Sequence, residues 1–589
     1  MTFAAWVTLL VVGGAVVVMA TDRVAPSVTL LSAVILLLAA GVITPAEAFS
    51  GFSNPAPITV AALYVLAAAV DKTGALQPVV AAILGPAEGH RRRLARLAGP
   101  VAGASAFLNN TPIVAMLVPQ LEAWSERHRV PVSRYLVPLS FASILGGMVT
   151  LIGTSTNIVV SGLLEASGRP GLGMFEITPV GLPVAAVGLV ALVLLSPVLL
   201  PDRRGATQSA EEEIREFAVA MRVEPDGPLD GRTVEEAGLR RLRGLFLVEV
   251  ERDDETLTAV APTVHLHGGD RLTFVGRADQ VVELQRMRGL VSTENEHLLS
   301  FDAPGHTFFE AVVGQASPLV GKTLKEASFR GRYNGAVVAI HRAGHRVQEK
   351  LGRVPLRVGD TLLILSDDGF VHRWGHRSDF LLVSRHGGAP PIRSGKAWLV
   401  GAITVAIVAA AATGLTSILV ASLVGALALV AGRVLSTGEA RAAVNLDVVI
   451  VIAAAFGLAA AMVSSGLAAV VAHLVVGLFG GLGQAGTLLG VILATVLLGA
   501  VVTNNAAAAL MFPIALSVAA ETGADPRTFA IGLAIAASAS FLTPIGYQTN
   551  IMVYGPGGYR FGDYARLGLP LTVVVLTVAT ALLALAGPA

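Results

Sequence analysis

Thr150-Leu151-Ile152-Gly153-Thr154-Ser155-Thr156-Asn157-Ile158-Val159-Val160-Ser161-Gly162 recurs without a gap as Thr543-Pro544-Ile545-Gly546-Tyr547-Gln548-Thr549-Asn550-Ile551-Met552-Val553-Tyr554-Gly555, with eight of the 13 positions identical. Each copy interrupts a long apolar stretch with glycine and hydroxyl or amide side chains, the pattern of a helix broken partway along. A second motif repeats with it. Asn109-Asn110 lies 44 residues before Gly153, and Asn504-Asn505 lies 42 residues before Gly546. Each half of the chain therefore reads as three hydrophobic segments, a hairpin with an Asn-Asn tip (97–121, then about 487–520), a broken helix (135–164, then 528–559) and a final span. An odd number of crossings separates the halves, so the second is inverted, and inverted repeats with interrupted helices are the secondary-transporter pattern.

Charge is distributed to match. Of 589 residues, 54% are hydrophobic and 14% charged, against about 25% charged in soluble domains. Residues 201–395 carry 54 of the chain's 83 charges, and the other 394 residues carry 29. The chain is thus two polytopic membrane halves (1–201 and 396–589) flanking a soluble insert. This excludes a soluble enzyme, a nucleic-acid binder and a single-anchor receptor; a net charge of +1 supplies no basic field for nucleic acid. The absence of cysteine removes thiolate metal sites and cysteine nucleophiles. The first apolar segment has no basic residues ahead of it and is expected to be a span rather than a signal peptide. The charge-free run 398–432 is too long for one span and divides at Thr413-Gly414.

Basic residues predict orientation. The hairpin 97–121 is preceded by Arg91-Arg92-Arg93-Leu94-Ala95-Arg96 and followed by Glu126-Arg127-His128-Arg129. Both flanks belong in the cytoplasm, so this segment enters and returns, with Asn109-Asn110-Thr111-Pro112 at its polar tip. The insert then falls in the cytoplasm and both termini outside, with Arg433, Arg441, Arg560 and Arg566 on the inner side.

The insert repeats too. Pro228-Leu229-Asp230-Gly231-Arg232-Thr233 matches Pro318-Leu319-Val320-Gly321-Lys322-Thr323, and Gly269-Asp270-Arg271-Leu272 matches Gly359-Asp360-Thr361-Leu362, both at a 90-residue offset. Short apolar strands between them predict two tandem α+β modules, 202–290 and 291–395. His265 and His267 are expected on an exposed strand face, without further ligands for a metal. The insert has no GxGxxG element for a dinucleotide, and the membrane part no Thr-Val-Gly-Tyr-Gly filter for potassium.

The membrane core is nearly free of Asp, Glu, Lys and Arg, which argues against a proton relay. Asp71, Glu122 and Asp447 sit at segment ends, and His473 reads as a hydrogen-bonded structural histidine. Four neutral polar clusters remain: Asn109–Thr111, Gly153–Asn157, Asn504–Asn505 and Gly546–Asn550. Amide and hydroxyl oxygens around glycine-opened backbone suit a small dehydrated cation such as Na⁺, while helix N-termini and amide donors suit an anion. One such cluster reads equally well as glue between helices; four in repeated pairs read as a site.

At these residues the chain resembles the divalent anion:sodium symporter family of the ion transporter superfamily. The resemblance rests on Asn109-Asn110-Thr111-Pro112, on Gly153-Thr154-Ser155-Thr156-Asn157 and on Ser50-Gly51-Phe52-Ser53-Asn54-Pro55. It implies two sodium sites, one framed by Asn109, Asn110, Gly153 and Asn157, the other by Asn504, Asn505, Gly546 and Asn550. It further implies that Asn110, Thr111, Thr154, Asn505, Ala506, Tyr547 and Gln548 line the substrate between them. A homodimer in a bacterial inner membrane, whose transport domain moves like an elevator, is the implied assembly. Where the family carries a threonine on the second hairpin this chain has Ala506, and small residues of the second loop are replaced by Tyr547 and Gln548. A tighter, less hydroxylated second half favours a compact oxyanion such as sulfate, with a dicarboxylate/sodium symporter, a cation/proton antiporter or an arsenite permease as alternatives. The insert resembles paired TrkA C-terminal (RCK-C) domains, which implies a regulatory small molecule or nucleotide bound there.

Overall fold

A computed structural model describes residues 1–20, 24–75, 89–128, 130–203, 218–239, 242, 245–252, 255–258, 260–276, 287–292, 307–314, 317–342, 345–347, 349, 351–367, 369–374, 379–385, 395–544 and 546–585. Arg129, Ile545 and the expected junctions of the insert at 204–217, 293–306 and 386–394 lie outside the described residues. The chain divides into two compact units: Met1–Asp202 with Pro390–Tyr554 and Tyr559–Ala589, and Arg203–Ala389 with Gly555–Gly558.

The first unit is helical. Before the insert come α1 (Phe3–Ala20), α2 (Pro26–Ala39), α3 (Pro55–Thr73), α4 (His90–Ser105), α5 (Asn110–His128), α6 (Ser133–Gly147), α7 (Ser155–Ala166) and α8 (Thr178–Leu199). After it come α9 (Ala397–Ala412), α10 (Ile418–Ala431), α11 (Leu446–Ser464), α12 (Leu467–Phe479), α13 (Gly483–Gly499), α14 (Asn504–Thr522), α15 (Pro526–Ser538), α16 (Gln548–Tyr554) and α17 (Phe561–Leu585). Among the described residues, seven helical stretches are long and apolar enough to cross a membrane. The turn expected at Thr413-Gly414 separates α9 from α10, with Gly414 at φ +70°.

Local chemistry sets these boundaries. Asn54 caps α3 by accepting from the Ala56 N–H at 2.9 Å, with Pro55 in the first turn where a missing N–H costs nothing. The same side chain donates to Gly162 O at 3.2 Å, tying the 50–55 stretch to α7. Asp525 caps α15 through the Arg527 and Thr528 N–H groups, both at 3.0 Å. Glycine permits the closest packing: a β-carbon at Gly51 would stand 2.1 Å from Ala453 O on α11, and one at Gly146 2.2 Å from Ala102 O on α4.

Charged pairs stand near helix ends. Lys72 pairs with Glu439 at 2.6 Å and Arg134 with Asp202 at 2.5 Å, near the ends of α3 and α8. The Lys72 ammonium, with the Ser436 N–H, holds the Glu439 carboxyl down to about 2. At the opposite end of α8, Glu176 pairs with Arg527, whose Nη2 also donates to Gly171 O at 2.8 Å. His473 is exposed and pairs with Glu521 at 2.7 Å.

The insert is two antiparallel sheets of one topology. Strands β1 (Ala218–Val223), β2 (Leu245–Arg252), β3 (Glu255–Thr258), β4 (Arg271–Gly276) and β5 (Leu290–Ser292) run in the order β3-β2-β4-β1-β5. Strands β6 (Thr307–Val313), β7 (Gly335–Arg342), β8 (His345–Arg346), β9 (Thr361–Ser366) and β10 (Phe380–Arg385) run β8-β7-β9-β6-β10, the same order. Each Gly-Asp motif plays the same part: Arg252 clasps Asp270 at 2.8 and 2.7 Å, and Arg342 clasps Asp360 at 2.8 and 2.7 Å. Because β5 pairs with β1, the first module runs through Ser292, past the border at 290 expected from sequence. His265 and His267 share no strand face. His265 forms an isolated bridge with Thr233, and the Asp270 carboxylate turns the chain by accepting from the His267 N–H at 2.8 Å.

Candidate functional site

A broken helix leaves backbone donors and acceptors unpaired, and a side chain must replace what the helix no longer supplies. Here the repeated asparagines do so in matching fashion. Asn157 Nδ2 donates to Gly147 O at 3.3 Å and Thr150 O at 2.8 Å, bridging the gap between α6 and α7. Asn550 Nδ2 donates to Ser540 O at 2.7 Å and Thr543 O at 3.2 Å, bridging α15 and α16. The repeated threonines fix each break to its own hairpin: Thr150 Oγ1 donates to Ala106 O, and Thr543 Oγ1 to Ala500 O at 3.1 Å.

The hairpin tips reach across to the other half. Asn110 Nδ2 donates to the Tyr547 hydroxyl at 3.0 Å, and Thr111 Oγ1 lies 3.3 Å from Gln548 Oε1. In return Asn505 Oδ1 accepts from Ser155 Oγ at 3.3 Å and Thr156 Oγ1 at 3.4 Å. Ser140 on α6 adds a third crossing, with its Oγ 2.7 Å from Asn550 Oδ1 and 2.8 Å from Thr549 Oγ1. The helices α5, α7 and α14 all begin at these residues, so their positive ends meet here.

Of the residues singled out from sequence, Asn110, Thr111, Tyr547, Gln548 and Asn505 are thus brought together. Thr154 and Ala506 are buried at 1% and 0% exposure. Gly153 and Gly147 approach so closely that a β-carbon on Gly153 would stand 2.6 Å from Gly147 O, and one on Gly147 2.8 Å from Asn110 Oδ1. Asn157, Asn110, Gly147 and Gly153 therefore pack closely against one another at the first break. At the second break Ser540 joins Asn504 and Asn550, its Oγ donating to Asn504 Oδ1 and its carbonyl accepting from Asn550 Nδ2, while the Gly546 N–H donates to Thr543 Oγ1 at 3.1 Å. Asn109 takes a different place: its Oδ1 accepts from the Thr111 N–H at 3.5 Å, shaping the tip.

Sequence reasoning missed the serines. Ser105 donates to Asn110 Oδ1, Ser140 to Asn550 Oδ1, and Ser540 to Asn504 Oδ1 at 2.5 Å. Ser540 was open to detection, because carrying the repeat back three positions pairs it with Gly147; Ser105 and Ser140 have no repeated partner to mark them. Among the described residues at the tips and breaks, Thr154 Oγ1, Thr503 Oγ1 and Asn157 Oδ1 are buried without a hydrogen-bond partner. Asn157 Oδ1 is fully buried and has no hydrogen-bond partner among the described residues, a situation that costs about 1–3 kcal/mol unless something satisfies it.

Among known proteins, the citrate transporter (CitMHS) family model matches residues 16–492 and 479–589. The chain belongs to the citrate transporter family. This places it in the ion transporter superfamily expected from its motifs, under a different family description from the divalent anion:sodium symporters. The citrate transporter family member is 36% identical to an uncharacterized transporter of Synechocystis sp., across 98% of this chain and 96% of the relative. It is 34% identical to a Chlamydomonas reinhardtii protein described as a putative sulfur deprivation response regulator, across 94% of this chain and 96% of that one. It is 26% identical to sodium/sulfate cotransporter 1 of the same alga, across 96% of this chain and 88% of the relative. The protein is a multi-pass membrane protein of a transporter family rather than an enzyme family.

Proposed function

We propose that the protein is a sodium-coupled symporter of a divalent oxyanion, with sulfate the favoured substrate. The observation that carries this reading is the exchange of contacts between halves, in which Asn110 and Thr111 meet Tyr547 and Gln548 while Asn505 meets Ser155 and Thr156. The groups that meet are amides and hydroxyls. They supply N–H and O–H donors for an anion, and carbonyl oxygens for cations that offset its charge in a low-dielectric setting. A sodium/sulfate cotransporter among the relatives supports the same pairing of ions.

In this reading Asn110, Gly153 and Asn157 serve one cation, with Asn109 shaping the tip, and Asn504, Asn505, Gly546 and Asn550 serve a second, with Thr154, Ala506, Tyr547 and Gln548 beside the anion. In this reading the insert is cytoplasmic and both termini lie outside, with the Lys72–Glu439 and Arg134–Asp202 pairs on the cytoplasmic side. Elevator motion of a homodimer in an inner membrane, and a small ligand bound by RCK-C-like modules, complete the proposal. Deleting residues 204–393 with a short linker tests the insert: transport unaltered under every ligand condition refutes a regulatory role.

The deciding experiment is radiolabelled sulfate uptake into proteoliposomes with and without an inward Na⁺ gradient, with succinate and citrate as competitors. Sodium-dependent uptake that neither competitor inhibits supports the oxyanion reading. Competition by either carboxylate moves the protein to the di- or tricarboxylate carriers. A second reading, a membrane sensor with vestigial transport, is favoured by the relative described as a sulfur deprivation response regulator; measurable turnover dismisses it.

A further inference from the structure

Helix α6 bears on both breaks. Its Gly147 O accepts from Asn157 Nδ2 at 3.3 Å at the first, and its Ser140 Oγ donates to Asn550 Oδ1 at 2.7 Å at the second. Yet α6 has a weak point. Pro138 has no N–H, so Arg134 O loses its partner within the helix and the first turn is joined to the rest by fewer bonds. Tyr559, from the other half of the chain, fastens that turn. Its side chain is fully buried, and its hydroxyl donates to Ser133 O and accepts from the Val137 N–H at 3.0 Å. The Tyr559 ring meets the Tyr564 ring edge-on, with centroids 5.8 Å apart, and the Tyr564 hydroxyl donates to Asn550 O at 2.8 Å. The contacts thus close a loop, from the first turn of α6 through Tyr559, Tyr564 and Asn550 to Ser140, about two turns further along the same helix.

The repeat sets Thr543 393 residues after Thr150 and so pairs Tyr559 with Ala166, which has no hydroxyl. The start of α15 is held by other means: Arg527 donates to Pro170 O at 3.1 Å and to Gly171 O at 2.8 Å, in the segment that follows α7. We infer that Tyr559 is a positioning residue, outside the candidate site, that sets the depth at which α6 presents Ser140 and Gly147 to the two breaks. Its effect on transport rests on the symport reading above; its effect on the breaks rests on the loop of contacts alone.

The test is Tyr559→Phe in the full chain. The ring stays against Tyr564, and no buried group is stranded, because the Val137 N–H and Ser133 O stand at the spacing that a helix's own hydrogen bond links. The variant is therefore expected to fold. Hydrogen–deuterium exchange in detergent, without added ions, reads the loop directly. Amides at both breaks, 147–157 and 540–550, should exchange about fivefold faster, the worth of one neutral hydrogen bond. Faster exchange confined to residues 133–137 overturns the inference.

Sulfate uptake in proteoliposomes reads the consequence. A site that must be ordered before it binds holds both ions less well, so the Na⁺ and sulfate concentrations for half-maximal uptake should rise together, by up to about fivefold, with the maximal rate little changed. A merely structural role would lower the amount of active protein and hence the maximal rate; both concentrations unchanged in folded variant protein overturns the inference. Tyr564→Phe opens the same loop at its next link and should give the same pattern, and the double variant should be no worse than either single change. Effects of the two changes that multiply also overturn the inference. Wild-type sulfate uptake indifferent to Na⁺ overturns the symport reading, and the exchange measurement then still decides the role of Tyr559.

Discussion

Removing one oxygen from Tyr547 probes the junction between the halves. Its hydroxyl accepts from Asn110 Nδ2 at 3.0 Å, and Asn110 is 2% exposed, so water cannot stand in for the lost acceptor. Tyr547→Phe keeps the ring and its packing. In the unloaded protein the loss is that of one neutral hydrogen bond, about 1 kcal/mol, which lowers the melting temperature of a chain this size by only about 1–2 °C. The phenol accepts from Asn110 and retains its own proton, which a bound oxyanion can receive. A hydrogen bond to a charged acceptor is worth about 1.5–3 kcal/mol, or about 10- to 100-fold in affinity. The expected result is a KM for sulfate raised by that factor at saturating Na⁺, with the Na⁺ concentration for half-maximal uptake little changed. Sulfate uptake in proteoliposomes measures both. A KM within twofold of wild type, in protein that melts normally, would refute the placing of Tyr547 beside the anion.

Asn505→Ala removes the acceptor shared by Ser155 and Thr156; sodium-dependent uptake should fall at least about tenfold while size-exclusion behaviour stays normal. Asn110→Asp keeps the oxygen facing Gly147 but turns the donor toward Tyr547 into an acceptor, so Na⁺-dependent thermal protection should persist while sulfate no longer adds to it. The Arg527 guanidinium hydrogen-bonds Glu176 and holds its carboxyl below the usual range. A lowered native pKa stabilises the fold above the unfolded carboxylate's ~4.3 and loses that effect as pH falls through the lower native value. The melting temperature of wild type should therefore exceed that of Glu176→Gln at pH 7, with the gap closing only under more acid conditions. Arg342→Ala strands Asp360, which is 1% exposed; breaking such a buried pair costs about 3–5 kcal/mol, and limited proteolysis should then cut the second module of the insert first.

The coarse architecture was legible because it depends on features one residue wide: glycines and asparagines breaking apolar runs, and charge confined to the insert. The tips at Asn110 and Asn504 and the breaks before Ser155 and Gln548 fall where those signals stand. The modules of the insert were legible for a similar reason, since Gly-Asp marks the turn that the Arg clasps hold. What the sequence hid was partnership. Nothing in a linear pattern says that Asn110 meets Tyr547, 437 residues away, rather than the break of its own half. The serines were hidden more thoroughly, because a lone Ser in an apolar helix usually bonds to its own backbone, as Ser538 does to Ala534 O. Ser140 does otherwise, and only the packing of α6 against α16 reveals it. Asn109 and Asn110, adjacent and identical, are both expected from sequence to frame a cation, with Asn110 also facing the anion; the helix start separates them, one side chain shaping the turn and the other reaching across to Tyr547.

In the proposed mechanism that separation links the two ions through one residue. Asn110 presents its carbonyl oxygen toward Ser105 and Gly147, on the side proposed for the cation, and its amide nitrogen toward Tyr547, on the side proposed for the anion. The two ends of an amide are one conjugated dipole, so a positive charge near the oxygen draws density from the nitrogen and makes its N–H groups stronger donors. Polarisation of this kind adds about 10–30% per bond in hydrogen-bonded chains, and here it acts where water is excluded. Asn505 occupies the matching tip of the second half, where its oxygen is taken up by Ser155 and Thr156 of the opposite break. The halves therefore share a frame while their tips differ in role. In the proposed mechanism the first relays cation binding to the anion, and the second closes the site against the opposite break.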